Sequence, residues 1–279
     1  MSDLINSSLN KLKSIKIPNP NLDLRIMLNH CSKLNKEIFF SNFNQSDVDI
    51  VKFEKILNRR LNNEPISKIV NKKSFWKFDF YVDKNVIDPR PETELIIEEA
   101  LKIYKNKKKF FNILDIGTGS GCLSVCLAKE YQNSKITAIE ISKKAMKVAK
   151  KNFELNNCSK QILALNSNIE TVNNKFDLIV SNPPYLSKKD YELTSINIKR
   201  YEPKKAFYGG EDGLYFYRKF SRILPKLMKT NSFLILEIGE NQADKCINII
   251  NKSGLKFQKK VQDLQKKDRI LIFSKLNLD

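Results

Sequence analysis

Histidine is nearly absent from this sequence of 279 residues, in which His30 is the single example. A metal site built from several histidines is therefore excluded, and a Ser-His-Asp triad is implausible unless His30 serves it. Cysteine is sparse too, and the five cysteines show neither a CxxC pair nor the spacing of metal ligands. Their odd number suits a reducing compartment, and no metal site is predicted.

Long apolar runs are also lacking, and no segment approaches the length that spans a membrane. The first ten residues have neither the basic start nor the apolar stretch of a signal peptide, so a cytoplasmic location is expected. Acidic residues are few: 50 Lys and Arg against 31 Asp and Glu give a net charge of +19. This charge favours acidic partners such as nucleic acid, the ribosome or an acidic protein. The lysines are scattered, however, which is commoner for solvated faces, and a compositional bias in Lys, Asn and Ile explains them as well.

The composition supports a folded core, since 41% of the residues are hydrophobic and 10% are aromatic. Residues 1–74 are predicted to form a small helical domain with two helices before Asn44 and a third that starts near it, with Asn44 or Ser46 as the N-cap. This domain shows no evident chemistry, so packing and partner recognition are both open. The third helix has an apolar face formed by Ile50, Phe53, Leu57 and Leu61.

The rest of the chain shows a different periodicity. Residues 75–90 are predicted to be a β-hairpin linker, because β-favouring residues alternate there. Within residues 91–279, strands and helices alternate from residue 112 onward, which is typical of a doubly wound parallel sheet. The last two strands lie close together and can form a hairpin that leaves one strand antiparallel. The predicted strands are 112–117, 135–140, 161–165, 176–181, 232–238, 256–262 and 269–274, and the predicted helices are 120–131, 142–156, 213–229 and 241–252.

A glycine-rich loop, residues 117–121, follows the first of these strands and opens a helix. Glycines permit a tight turn and the close approach of backbone to a ligand, and Glu140 follows about 20 residues later, where an acid binds ribose hydroxyls. The loop reads GxGxG rather than the GxGxxG of dinucleotide folds, and Asp115 precedes it. A carboxylate there does not favour a diphosphate, but a cationic cofactor without phosphate tolerates it. The pattern predicts S-adenosylmethionine.

The second motif is Asn182-Pro183-Pro184-Tyr185, directly after the apolar run 176–181. Two prolines end the predicted strand and stiffen the backbone, since each ring fixes φ near about −65°. An amide precedes them and a phenol ring follows. The result is a rigid cradle of hydrogen-bond acceptors beside a flat surface, which suits a carboxamide or the exocyclic amine of a base.

Together these motifs resemble those of the release factor glutamine methyltransferases, the HemK/PrmC family, from about residue 20 to the C-terminus. The resemblance implies an α/β fold: a class I S-adenosylmethionine-dependent methyltransferase, Rossmann-like with a mixed seven-stranded sheet, and a small N-terminal helical domain that recognises the release factor. It is carried by Arg-Pro-Glu-Thr-Glu at 90–94, Leu-Asp-Ile-Gly-Thr-Gly-Ser-Gly at 114–121, Ile-Val-Ser-Asn-Pro-Pro-Tyr at 179–185, Tyr-Glu-Pro at 201–203, Gly-Gly-Glu-Asp-Gly-Leu at 209–214 and Leu-Glu-Ile-Gly at 236–239.

The implied reaction methylates the side-chain amide nitrogen (N5) of the glutamine in the Gly-Gly-Gln (GGQ) motif of class 1 translation release factors. Those factors are the implied partners, and neither a membrane nor a nucleic acid is required. The residues implied to hold the glutamine are Asn182, Pro183, Pro184 and Tyr185. The residues implied to bind the cofactor are Gly117, Thr118, Gly119, Ser120, Gly121, Glu140, Asn168, Ile169 and Asn182.

Four positions depart from the family pattern. Glu140 stands where Asp is usual, and Asn168 stands where an acid is usual near the adenine amine. Asn63 and Asn71 replace glycines, and Asn tolerates left-handed backbone better than most residues. These departures bear on cofactor affinity more than on activity.

Three alternatives remain open at this point. The first is the same chemistry on a glutamine of a ribosomal protein. The second is an amino methyltransferase acting on a base, such as the N6 of adenine, in RNA or DNA, which the net charge favours although no added nucleic-acid module is evident. The third is a non-catalytic ribosome- or RNA-binding protein on the same fold, which the intact glycine loop disfavours.

Overall fold

A computed structural model describes residues 3–34 and 36–276 of the chain. The chain divides into two compact units, Met1–Lys72 and Lys73–Asp279. The first strand of the second unit begins at Lys73, two residues before the predicted linker. Across the described residues, no helix is both long enough and apolar enough to cross a membrane.

The first unit is helical, as predicted. Its apolar core is formed by residues of all its helices, among them Leu12, Leu28 and Phe53. The left-handed backbone expected at Asn63 and Asn71 is confirmed, with φ of 62° and 54°. The helices are α1 (Asp3–Ser14), α2 (Pro20–His30), α3 (Ile50–Leu61) and α4 (Ile66–Val70), with two short 3₁₀ turns, Phe40–Asn42 and Gln45–Asp47.

The predicted start of the third helix near Asn44 is wrong. Asn44 caps only the turn Gln45–Asp47, where its side chain accepts a hydrogen bond from the Ser46 amide. The chain then runs extended through the buried Val48, and Asp49 caps α3 by accepting from the Lys52 amide. Because Val48 must reach the core before the helix begins, tertiary packing overrides the earlier cap signal.

The second unit begins with a hairpin of β1 (Lys73–Phe75) and β2 (Phe78–Phe80). A 3₁₀ turn, Pro91–Thr93, leads into α5 (Glu94–Ile103). The remaining strands build one sheet: β3 (Asn112–Ile116), β4 (Lys135–Ile139), β5 (Ile162–Leu165), β6 (Phe176–Ser181), β7 (Met228–Glu237), β8 (Lys256–Gln262) and β9 (Asp268–Lys275).

This sheet has the strand order β5-β4-β3-β6-β7-β9-β8. The pairs from β5 to β7 are parallel, whereas β9 is antiparallel to both β7 and β8. The predicted mixed seven-stranded sheet and its closing hairpin are therefore confirmed. Strand β7 starts four residues before the predicted 232, and it contains an irregularity in which Asn231 has a φ of 57°.

Helices cover both faces of the sheet. One buried cluster joins the sheet to α5, α6 (Cys122–Glu130) and α7 (Lys143–Leu155). The other joins it to α10 (Tyr215–Leu227) and α11 (Ala243–Asn251). Two short helices, α8 (Lys188–Leu193) and α9 (Ile196–Tyr201), have no buried residue, so they lack the apolar periodicity by which helices were predicted.

The strand order reverses between β3 and β6, which is the topological switch point where ligands bind in open α/β sheets. In register, Ile116 of β3 pairs with Ile139 of β4 on one side and with Ser181 of β6 on the other. Ser181 in turn pairs with Leu236 of β7. The residues that follow these four strand ends therefore meet at one edge of the sheet.

Candidate active site

The glycine-rich loop lies at the carboxyl end of β3. The amides of Gly117 and Thr118 both donate to the carbonyl of Ile139, at 2.9 and 3.0 Å, which fixes the loop against the end of β4. Gly121 has a φ of +83°, and a Cβ there would lie 2.5 Å from the Phe153 ring. Only glycine fits at this position, because the backbone is left-handed and the helix packs closely.

Asp115, at the end of β3, is buried beneath the loop. Its Oδ2 accepts hydrogen bonds from the Thr118 and Ser124 hydroxyls, each at 2.6 Å. Its Oδ1 is also buried, and no residue within 3–34 or 36–276 gives it a hydrogen bond. Burial raises the pKa of Asp115 to about 6, although the two hydroxyls act in the other direction. The unsatisfied oxygen lies beneath the loop, and Asp115 is not among the residues that line the cavity described below.

Glu140 follows β4 and is tied to the backbone on both sides. Its Oε1 accepts from the Ser142 amide at 2.8 Å, and its Oε2 accepts from the Gly119 amide at 3.2 Å. Burial raises the pKa of this carboxyl. The glutamate that replaces the family's aspartate thus holds a fixed position beside the glycine loop, and each oxygen retains a further lone pair.

Asn168 and Ile169 lie beyond β5. The Lys219 ammonium donates to Asn168 Oδ1 at 3.0 Å and pairs with Glu170 at 2.9 Å. Lys219 therefore brings a positive charge to the place where the family pattern has an acid. Nothing in the sequence near residue 168 indicated this lysine, since it comes from α10, 51 residues further along the chain.

One cavity of about 280 Å³ joins these residues to the Asn-Pro-Pro-Tyr motif. We call its two parts the glycine-loop end (Gly117, Gly119 and Glu140) and the amide end (Asn182 and Pro184). The predicted residues that line the cavity are Gly117, Gly119, Glu140, Asn168, Ile169, Asn182 and Pro184. The predicted residues that are not among the lining residues are Thr118, Ser120, Gly121, Pro183 and Tyr185.

The amide end is held by side chains from distant elements. Asn182 Nδ2 donates to Thr93 Oγ1 at 3.0 Å, and the Thr93 hydroxyl donates to Glu237 Oε2 at 2.6 Å. The Tyr185 hydroxyl approaches the other oxygen of Glu237 at 3.4 Å. Glu237 is 1% exposed, and its burial raises its pKa to about 7. Thr93 and Glu237 lie within the resemblance segments 90–94 and 236–239, but the sequence assigned neither of them a role in the site.

The Gly209-Gly210 segment and the residues after it pack against the Asn-Pro-Pro-Tyr backbone. A Cβ at Gly209 would lie 2.6 Å from the Pro184 carbonyl, and one at Gly213 would lie 2.4 Å from the Tyr185 carbonyl. The same Tyr185 carbonyl accepts from Gln242 Nε2 at 2.8 Å. The glycines of this motif are thus needed for close backbone approach, which fixes the carbonyls of the cradle.

A further link joins the Arg-Pro-Glu-Thr-Glu segment to the Tyr-Glu-Pro segment. Glu202 is buried, with Oε1 bonded to the Arg90 guanidinium at 2.7 Å and Oε2 to the Asp88 amide at 3.1 Å. Pro203 and Lys204, directly after it, line the cavity. Arg90 therefore holds the Tyr-Glu-Pro segment in place, and that segment in turn supplies Pro203 to the cavity wall. In the part of the chain that the structure describes, no group of three or more His, Cys, Asp or Glu residues is placed to hold a metal ion.

The sheet order, the glycine loop and the cavity at the switch point define a class I methyltransferase domain. Comparison with known proteins supports this assignment and identifies the N-terminal domain as well. Residues 92–199 match the methyltransferase small domain, and residues 3–70 match the PrmC N-terminal domain, a match that begins earlier than the predicted residue 20. A solved methyltransferase from Pyrococcus furiosus, 20% identical, covers 80% of this chain and 100% of its own with a TM-score of 0.53, which shows the shared fold.

Two curated relatives identify the family. The release factor glutamine methyltransferase of Fusobacterium nucleatum is 32% identical over 98% of this chain and 78% of its own length. The bifunctional methyltransferase of Rickettsia typhi is 35% identical over all of this chain but only 58% of its own length. This chain thus spans somewhat more than half of the bifunctional relatives. It belongs to the release factor glutamine methyltransferase family, whose members depend on S-adenosylmethionine.

Proposed function

We propose that this chain transfers a methyl group from S-adenosylmethionine to the side-chain amide nitrogen of the glutamine in the GGQ motif of class 1 release factors. One observation carries the proposal: a single cavity connects the glycine-loop end to Asn182 and Pro184 in a member of this family. The proposal places the chain in the cytoplasm, where translation terminates.

The glycine-loop end fits the cofactor. The carboxylate of Glu140 lines the cavity and is an acceptor for hydroxyl groups, and Gly117 has open space where a Cβ would stand. When bound, S-adenosylmethionine supplies an electrophilic methyl group on a positively charged sulfur. Glu140 would bind the ribose hydroxyls, and Asn168 and Ile169 would lie beside the adenine.

The amide end supplies acceptors for the substrate. A carboxamide nitrogen is a weak nucleophile, because its lone pair is delocalised into the carbonyl. The Asn182 side-chain oxygen and the Pro183 carbonyl would accept its two hydrogens, which orients the nitrogen towards the cavity and stabilises positive charge as it develops. Positioning of this kind lowers a barrier by up to about 7–11 kcal/mol in the best cases.

The amide plane of the substrate would stack on the ring of Tyr185, which is not part of the cavity lining here and whose hydroxyl faces Glu237. Burial raises the pKa of its phenol above the usual value, so the ring is neutral at physiological pH. It therefore provides a flat surface rather than a base. The proton released after transfer goes to water, so the reaction needs no histidine.

Lys219 changes how the adenine is recognised. Because its ammonium occupies one lone pair of Asn168 Oδ1, the amide keeps one acceptor position for the adenine amine. The lysine lines the cavity and adds a donor of its own, which suits a ring nitrogen of the base.

The test is methyl transfer from labelled S-adenosylmethionine. The acceptors are a class 1 release factor, its version with Gly-Gly-Ala in place of Gly-Gly-Gln, a ribosomal protein fraction and total RNA. Label on the first acceptor that disappears with the second establishes both the substrate and the target residue. Label that appears only on ribosomal protein or RNA would refute the proposal in favour of one of the alternatives.

The helical domain, predicted as residues 1–74, is proposed to recognise the release factor. Its match to the PrmC N-terminal domain supports this. Hydrogen exchange of the whole chain with and without a release factor tests it. Slower exchange in residues 3–70 on addition of the factor is expected, and unchanged exchange there would count against recognition by this domain.

A further inference from the structure

Asn182, Thr93 and Glu237 form a chain of hydrogen bonds that runs from the cavity into the core. They come from three separate elements: the end of β6, the 3₁₀ turn before α5 and the end of β7. Thr93 is 3% exposed and Glu237 is 1% exposed, whereas Asn182 lines the cavity. Only the first member of the chain is therefore able to touch a substrate.

The protons that these three side chains carry determine which of them donates and which accepts in each hydrogen bond. A threonine hydroxyl has one proton, and here it is donated to Glu237 Oε2 at 2.6 Å, a distance typical of a bond to a charged carboxylate. The Thr93 oxygen is then available to Asn182 only as an acceptor, so Asn182 must present its NH₂ group. The Oδ1 of Asn182 is thereby turned away from Thr93, and no residue within 3–34 or 36–276 donates a hydrogen bond to it.

We propose that Thr93 and Glu237 are positioning residues that fix the side-chain amide of Asn182 with its oxygen presented to the acceptor amide. The inference rests on the proposed function and deepens it. An asparagine amide is nearly symmetric in shape, so packing alone does not distinguish its two orientations. With the opposite orientation, the cradle would present an NH₂ group to the NH₂ group of the substrate, and the two donors would repel each other.

Tyr185 shares the same carboxylate. Its hydroxyl lies 3.4 Å from Glu237 Oε1, while Thr93 occupies Oε2. One oxygen of this buried carboxylate thus holds Thr93, which bonds Asn182, and the other faces Tyr185. Other charged or titratable groups also face Glu237 from the elements packed around it: Glu92, Arg269, Tyr217 and Cys122.

Protonation of Glu237 on Oε2, the oxygen that Thr93 contacts, would reverse the direction of the hydrogen bonds. A neutral carboxylic acid donates to Thr93, and Thr93 then donates to Asn182, whose amide must turn to present its oxygen inward. The direction is productive only while Oε2 carries no proton, as in the ionised carboxylate. Since burial raises the pKa of Glu237 to about 7, the turnover rate should fall as the pH is lowered through that region.

The decisive experiment compares Thr93→Val, which removes the hydroxyl but keeps the shape, with Thr93→Ser, which keeps the hydroxyl. With a release factor as acceptor and saturating cofactor, we expect Thr93→Val to lower kcat by about 100-fold. We expect Thr93→Ser to restore kcat to within about threefold of the wild type, since the hydroxyl is the functional part. Cofactor affinity measured by calorimetry should be the same in all three proteins.

A second arm tests whether Thr93 acts through Asn182. In the Asn182→Ala background, Thr93→Val should lower kcat no further, because the group that it orients is gone. Losses that multiply in the double variant would overturn the proposal, since they would show a separate structural effect. Binding of a Gly-Gly-Gln peptide gives a readout apart from turnover, and it should weaken in Thr93→Val and recover in Thr93→Ser.

If Thr93→Val fails to fold, the Glu237→Gln variant tests the proposal in its place. A glutamine keeps the shape but offers Thr93 either an acceptor or a donor, so the direction of the chain is no longer enforced. We expect kcat to drop by about tenfold and its acid limb near pH 7 to disappear. A kcat equal to that of the wild type would overturn the proposal. A wild-type enzyme that labels no release factor at all would instead refute the proposed function, and the inference with it.

Discussion

The two ends of the cavity are held in place in different ways. At the glycine-loop end the contacts are local: Thr118 reaches Asp115 across three residues, and Gly119 reaches Glu140 across 21. At the amide end they are remote: Asn182 reaches Thr93 across 89 residues, and Thr93 reaches Glu237 across 144. The first end depends on one β–α–β unit, from β3 to the end of β4, whereas the second exists only once the whole sheet has formed.

This difference between the two ends implies that one serves cofactor binding and the other serves turnover. The glycine-loop end consists largely of backbone amides and a carboxylate that they hold, so it is suited to binding a cofactor. The amide end consists of side chains whose orientation is set by hydrogen bonds from the core, so it is suited to positioning a reacting group. Substitutions at the two ends should therefore affect different measured quantities.

The largest effect is expected for Asn182→Ala. Removing an acceptor that acts as charge develops should lower kcat by about 100- to 1,000-fold, a far larger change than the one in cofactor affinity. Single-turnover kinetics and calorimetry measure the two quantities. Asn174→Ala, at an exposed site after β5, is the control and should change neither. A variant that loses cofactor affinity instead of kcat would erase the distinction between the two ends.

The next effect concerns stability at the glycine-loop end. Gly121→Ala places a methyl group 2.5 Å from the Phe153 ring on left-handed backbone, so it should lower the free energy of unfolding by about 2–5 kcal/mol. Gly254→Ala is the matched control, since Gly254 has nearly the same φ, +86°, but open space around it. It should cost only the backbone strain, about 1–2 kcal/mol. Equal losses in urea unfolding would show that the contact with Phe153 is not tight.

At the amide end, stability should depend on pH through Glu237. Its pKa of about 7 in the folded chain lies above the unfolded value of about 4.3, so the folded chain binds more protons between these values. This site therefore lowers the free energy of unfolding as the pH rises from about 4 to 7. The Glu237→Gln variant lacks this pH-dependent contribution. The difference between its free energy of unfolding and that of the wild type should therefore rise by roughly 2–3 kcal/mol between pH 5 and pH 8.

Urea unfolding at several pH values measures this difference. Asn174→Ala, which changes no titratable group at an exposed site, is the control, and its stability relative to the wild type should not vary with pH. If the free energy of unfolding of Glu237→Gln changed with pH in the same way as that of the wild type, the carboxylate would not be desolvated in the folded chain.

The contrast between local and remote contacts also explains what the sequence could predict. The sheet, its closing hairpin and the glycine loop were predictable, because periodicity and turn residues act over short distances. Thr93, Gln242 and Lys219 were not, because their partners come from other parts of the chain. Glu237 lies in a resemblance segment but could not be assigned to the site, since an acid at a strand end looks the same in sequence whether it caps a helix or orients a neighbour. Asn44 shows the converse error, in which a sound local signal gave way to the packing of Val48.

The smallest effect is expected on cofactor affinity at the glycine-loop end. Glu140→Gln keeps the shape of the side chain but loses the charge that the Gly119 and Ser142 amides hold in place. One oxygen remains for the ribose hydroxyls in place of two, so the cofactor Kd should rise by about tenfold, with little change in kcat at saturation. Glu140→Asp, which restores the charge and the residue usual in the family, should bind within about threefold of the wild type, since a carboxylate one methylene shorter still accepts both hydroxyls. A fall in kcat at saturating cofactor in the Gln variant would mean that the glycine-loop end also orients the reacting groups.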